Sequence, residues 1–413
     1  METDKIDAKV MYIQQMYLKR SGKLKESLER QMHKLIGELK EKYPYLNSTN
    51  QLSGENAELK NISIAQDFLH GGQLSFATER FVLADIKISH ADKERFPLTD
   101  ALAMLCVYPK IGVIAAEINL CLQAVTTDTL VYLRHMQGNG EKLEIQIGQE
   151  SKSLSISELT QEIFARLQLP LANGHSSYNL EISKFGTYET IEEITAQESK
   201  RLYGIMSGDE GWEYVNEELA QTRINNAWSS RNFAYAAAFG NNFLLLNLDN
   251  TPAQQEYLAH QEQFFGQYYG TMNPYFTLQT TIATLNHGLL FAVETCLAVK
   301  SFSQSILDKQ DKYLAGENKQ FHRQIREMKE FRGNLILTIS SVENIGISEM
   351  GELQQLILES LKIHPVIDRL KDLLDILEAG LDLLYSTRTN FFVNILTVLG
   401  LLLSLIQVLE LFL

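Results

Sequence analysis

The chain has 413 residues, with 37 lysines and arginines against 51 aspartates and glutamates, for a formal net charge of −14. That balance excludes a whole-chain footprint for nucleic acid, because phosphate binding calls for a basic face, and no direct DNA binding is expected. Hydrophobic residues at 45% and charged residues at 21% exclude both a disordered tail and a polytopic membrane protein, and the length leaves room for roughly two or three domains.

The segment 1–46 reads as an N-terminal amphipathic helix. Leu24, Leu28, Met32, Leu35 and Leu39 recur at helical spacing, Lys and Glu fill the other face, and Pro44 ends the pattern. Its first residues lack the apolar core of a secretory signal. A polar stretch, 47–58, follows as a linker. Strand-like runs then appear at 80–89, 110–125 and 142–148, the last introduced by the turn residues Gly138, Asn139 and Gly140. Ser155 with Glu158, and Thr190 with Glu193, each fit a capping box that opens a helix. Between those helices the run from Tyr178 to Phe185 resumes strand, and Gly240, Asn241 and Asn242 join two apolar runs into a hairpin. Interleaved strands and helices make 47–250 an α+β cytoplasmic domain with a sensor role.

From 251 to 390 strand signals nearly vanish and the pattern predicts a helical stalk. After Pro365 the row Val366, Leu370, Leu373, Leu377, Leu381, Leu384 approaches a heptad seam, which points to a coiled coil and a homo-oligomer. The stalk runs into 391–413, uncharged until Glu410 and about 34 Å long as a helix, enough to cross a hydrocarbon core of about 30 Å. With Lys362, Arg369, Lys371 and Arg388 before the span and no basic residue after it, one C-terminal transmembrane helix with a cytoplasmic N-terminus is expected, so the lipid bilayer becomes a partner. The fold class expected is therefore an α+β domain, a long helical stalk and one transmembrane helix.

Asn394, Thr397, Gly400, Ser404 and Gln407 fall on one face of that helix, within an arc of roughly 140°. In hydrocarbon such a stripe reads as a helix–helix interface or as the lining of a pore built by several copies, with Glu410 as a charged ring at its far mouth; the competing reading is a plain anchor. A second constellation lies between Tyr203 and Val215: Asp209 and Glu210 beside Trp212 and Tyr214, with Arg231 further along. It reads as a ligand site, the indole stacking on a ring and the arginine meeting a phosphate. The competing reading is a loop after a helix C-cap that Trp212 anchors to the core.

Metalloprotease, nucleophile-elbow, Walker and dinucleotide motifs are absent from the sequence. Cys106, Cys121 and Cys296 stand apart without metal-ligand spacing. No enzyme activity, metal or cofactor is expected.

The long helices, the terminal span and the Leu396, Thr397, Val398 pattern resemble the stalk-to-membrane junction of CorA-type divalent-cation channels over the last third of the chain. The family's Gly-Met-Asn loop after the first span is missing, since Gly270-Thr271-Met272-Asn273 lies far upstream. A single terminal span after paired helices is also similar to the Rmd1-type family. Divergent CorA-like proteins act as antiviral membrane effectors triggered by a small nucleotide, so the resemblance implies a nucleotide ligand for the sensor domain. The expectation is a membrane-anchored homo-oligomer whose sensor controls a helix bundle or ion channel; the alternative is a tail-anchored scaffold.

Overall fold

The computed structural model describes residues 5–18, 28–43, 45–46, 79–93, 95–109, 111–224, 227–231, 234–249, 251–257, 259, 293, 296–304, 333, 336 and 349–412; over 28–29, 45–46, 138–139 and 227–231 and in parts of the C-terminal helices the backbone alone is described. The chain divides into two units, Met1–Gln304 with Ser341–Ile363, and Ser305–Ser340 with His364–Leu413.

The first unit is built on an eleven-stranded mixed sheet. Its elements in chain order are β1 (Ile6–Leu18), α1 (Leu28–Lys42), β2 (Tyr45–Leu46), β3 (Glu79–Ser89), β4 (Thr99–Tyr108), β5 (Val113–Val125), α2 (Thr127–Asn139), β6 (Leu143–Ile147), β7 (Glu150–Leu154), α3 (Ile156–Ala165), β8 (Leu171–Phe185), α4 (Ile191–Gln197), α5 (Ser199–Ser207), α6 (Glu217–Ile224), β9 (Ala227–Arg231), β10 (Ala234–Phe239), β11 (Asn242–Asn247) and α7 (Glu349–Ser360). The strand order is β7-β6-β3-β4-β5-β1-β8-β11-β10-β9, with β2 against β3. Every neighbouring pair is antiparallel except β8 with β11.

Here the first expectation is corrected. Residues 6–18 are not part of an N-terminal helix; they form β1, a central strand paired to β5 on one side and β8 on the other. The helical period belongs to α1 alone, whose Met32, Leu35, Ile36 and Leu39 are buried. In β1 the apolar and aromatic residues are buried on both faces, which blurs the alternation a half-buried strand would show.

One face of the sheet carries the main core. Val10 and Tyr12 of β1, Ala116 and Ile118 of β5, and Tyr178 and Leu180 of β8 join apolar side chains of α1 to α6 in a single cluster. The side chains that alternate with these point to the other face. There Gln15, Glu117, Asn119, Ser177, Asn179 and Glu181 are all at most 2% exposed. Hydrogen bonds hold part of this polar layer: Ser177 Oγ donates to Asn179 Oδ1 at 2.8 Å, and Ser301 Oγ, on a helical stretch over 296–304, donates to Gln15 Oε1 at 3.1 Å. Buried polar groups cost stability unless paired, so these bonds offset the burial of the layer.

The local signals behave as chemistry dictates. Ser155 and Glu158 form a reciprocal capping box on α3, and Thr190 caps α4. The segment read as one helix after Thr190 is two, α4 and α5, broken at Glu198. Gly240, at φ +64°, makes the β10–β11 turn. At the end of the unit, Ser360 donates to the Gly240 carbonyl at 2.8 Å, and α7 stops where Lys362 takes φ +55°.

The second unit holds all but the first residue of α8 (Ile363–Phe412), a continuous helix of 50 residues and about 75 Å. Among the described residues no helix is long and apolar enough to cross a membrane, which overturns the transmembrane helix, the tail anchor and the single-pass location expected for 391–413. The pore built on that span falls with it. Asn394, Thr397 and Gly400 are exposed on α8, and Thr397 Oγ1 donates to the Val393 carbonyl at 2.8 Å, so its hydroxyl is satisfied within its own helix. The side chains of Ser404, Gln407 and Glu410 lie outside the described residues. Of the seam, Leu370 and Leu373 are buried and Val366 is half-buried; Leu377, Leu381 and Leu384 lie outside the described side chains.

Candidate functional site

A polar cleft of about 510 Å³ opens in the first unit where the start of α2 faces the turn after α5. Its lining comprises Arg95, Thr126, Asp128, Thr129, Glu210, Trp212 and Glu213, with Val131 behind them. Each comes into place for a local reason.

Thr126 is the N-cap of α2, its hydroxyl accepting the Thr129 N–H, and Asp128 stands in the first turn, where a carboxylate complements the helix dipole. The opposite wall begins at Gly208, which ends α5 in a left-handed conformation, φ +72°, with its N–H on the Gly204 carbonyl at 2.8 Å. Asp209 then closes a tight turn by accepting the Gly211 N–H at 2.9 Å. This swings Trp212 back onto α5, where it packs so closely over Gly204 that an added Cβ would stand 2.5 Å from the Trp212 Cβ. Glycine at 204 is what seats the indole.

Four polar contacts tie the walls together. Arg95 donates to Glu210 Oε1 at 2.7 Å. The Trp212 indole N–H reaches Asp128 Oδ1 at 3.4 Å. Arg201 of α5 donates to the Thr127 hydroxyl at 2.8 Å, and the Thr129 hydroxyl donates to the Arg95 carbonyl at 3.4 Å. The Arg95 guanidinium also stacks over the ring of Tyr132, 4.4 Å from its centroid. Burial, reinforced by Glu141, raises the pKa of the Tyr132 phenol well above its ordinary range, so it stays neutral beneath the arginine.

The electrostatic sum decides what the cleft can hold. Three carboxylates, Asp128, Glu210 and Glu213, face one guanidinium, Arg95, already committed to Glu210. Asp128 and Glu213 remain, against one further ammonium, Lys200, whose Nζ donates to the Glu213 carbonyl at 3.4 Å, so the cleft keeps one negative charge in excess beside the Trp212 indole, an arrangement that favours a cation over phosphate.

Of the residues read from the sequence as a ligand site, the structure brings Glu210 and Trp212 into this cleft. Asp209 belongs to the turn that positions them, and Tyr214 is 91% exposed and outside the lining. The Arg231 side chain lies outside the described residues, its backbone pairing with Ala234. Trp212 packs against the core cluster, as the competing reading had it, and also lines the cleft. Sequence reasoning passed over Arg95, Thr126, Asp128, Thr129 and Glu213. The spacing of Thr126 and Thr129 ahead of an apolar run was a capping signal for α2; Arg95 carried none. Among the described residues no group of three metal-ligating side chains occurs.

Comparison of the chain with family models, with curated proteins and with solved structures finds no match.

Proposed function

We propose that this protein is a ligand-responsive binding protein, whose first unit captures a small organic cation, an amine or guanidinium, in the cleft between α2 and the Asp209–Tyr214 turn. The observation that carries this reading is the negative charge that Asp128 and Glu213 leave in excess of Lys200 beside the Trp212 ring in a preformed, cross-tied cleft. An ammonium or guanidinium donates to carboxylates and rests on an indole face in one pose, and the fixed walls reduce the ordering cost of binding it. The charge balance favours a cation over the small nucleotide implied by the sequence resemblance, since triphosphate oxygens would meet two carboxylates before any free guanidinium.

The chain has two tryptophans, so Trp228→Phe leaves Trp212 as the sole indole reporter. Titrating that variant with agmatine is expected to quench or shift Trp212 emission saturably, with affinity falling as salt rises, while ATP leaves it unchanged. A saturable ATP response without an agmatine response contradicts the reading.

We further infer that α8 self-associates. Val393, Leu396, Val398 and Leu401 are 52%, 66%, 56% and 66% exposed on one helix, more apolar surface than an isolated helix keeps in water without cost.

A further inference from the structure

A second cavity, unrelated to the polar cleft, lies at the other end of the sheet, and its origin is visible in the strand register. The outer edge of β3 is shared by two partners. β2 pairs with Arg80 and Phe81, and β6 pairs from Ile86 onward. Neither strand pairs with 82–85, where β3 also bulges between Val82 and Ala84. α1 and α3 wall this window, leaving a cavity of about 180 Å³. Leu35 and Leu39 of α1, Ile86 and Ala103 of the sheet, and Leu159 and Ile163 of α3 form its apolar lining. Apolar cavities of about 150 Å³ accept a benzene ring, so the space suits an aryl group or a short acyl chain.

The rim supplies the polar end. Glu38, Lys42, Glu162 and Arg166 surround the opening. Glu162 is occupied by Lys152 at 2.9 Å, whereas the side chains of Lys42 and Arg166 have no ion-pair or hydrogen-bond partner among the described residues. Counting Lys152, the rim carries one positive charge in excess. Arginine offers a carboxylate two parallel N–H donors, and such charge-assisted bonds are the strong ones.

We propose that this cavity is a binding site for a small amphiphilic carboxylate, its aryl or short acyl body in the apolar window and its carboxylate on Arg166 and Lys42. The probe is 3-phenylpropionate, titrated calorimetrically into the full chain beside 3-phenylpropanol and 3-phenylpropylamine, which share its body but not its charge. The acid is expected to bind about tenfold more tightly than the alcohol, the effect of one charge-assisted contact, and the amine more weakly than either. Lys42→Gln with Arg166→Gln, both exposed positions, should bring the acid to the level of the alcohol. Leu83→Trp, which places an indole in the half-buried mouth of the window, should abolish binding of acid and alcohol alike, with an unchanged melting temperature showing that the fold persists. No heat with any of the three probes, equal binding of acid and alcohol to the unaltered chain, or unimpaired binding by Leu83→Trp would overturn the proposal.

Discussion

Glu117, 1% exposed, receives Arg80 at 3.2 Å and the Cys106 thiol at 3.0 Å in the middle of the β3, β4 and β5 ladder. Burying this pair contributes little net stability, but removing one partner strands the other's charge in the interior. Glu117→Leu is therefore expected to cost about 3–5 kcal/mol in urea denaturation, and Arg80→Met with Glu117→Leu to recover most of it. A double variant no better than the single would place the loss in packing rather than charge. His175 gives a pH dependence. Burial first, and Lys300 next, hold its imidazole near a pKa of about 4, below the ordinary 6.5. Between those values the unfolded chain binds a proton that the native state does not, so the contribution is complete above about pH 6.5 and is lost as the pH falls toward 4. His175→Asn should flatten the stability profile across that window; an unchanged slope from pH 7 to 4.5 would assign the acid sensitivity to other groups. None of these burials was legible in the sequence, because a charged residue within a strand reads as solvent-facing and only the second layer on the sheet makes it internal.

At the scale of elements, legibility followed the locality of the signal. The capping box at Ser155, the N-cap at Thr190, which forms without the reciprocal Glu193 bond, and the hairpin at Gly240 depend on residues a few positions apart, and they lie where the sequence placed them. β1 depends on β5 and β8, about a hundred residues away or more, and its doubly buried pattern offered no period to read. The α5 turn lies between these cases. Gly208 was readable as a C-cap, whereas the need for glycine at 204 arises only because Trp212 folds back onto it. Gly204→Ala is expected to displace the indole, lower stability by about 1–3 kcal/mol and alter Trp212 emission. Unchanged emission and stability would mean the indole is not held there. On α8 the apolar exposure makes a parallel prediction: Leu396→Asp with Leu401→Asp should lower the mass of the chain measured by light scattering, and a mass unaffected by both would remove self-association through this part of the helix.

For the molecule as a whole, the terminal apolar run set the membrane expectation, yet among the described residues no helix meets the length and apolarity a bilayer requires. Hydropathy is a property of a window, whereas the cleft arises from three distant segments, around Arg95, Asp128 and Glu210, converging over one helix end. Two residues of that site, Glu210 and Trp212, could be named from sequence because aromatic and acidic residues cluster there; Asp128 and Arg95 gain their meaning only through the contacts that cross the cleft. The account stands on the claim that Asp128 and Glu213 select a cation. The most direct measurement is calorimetric titration of agmatine into the full chain and into its Asp128→Asn, Glu213→Gln variant at low ionic strength. Loss of two charge-assisted contacts should weaken binding by tenfold or more, about 1.4 kcal/mol at least, with the melting temperature little changed. Equal affinity in the two proteins, or binding improved by neutralisation, would contradict it.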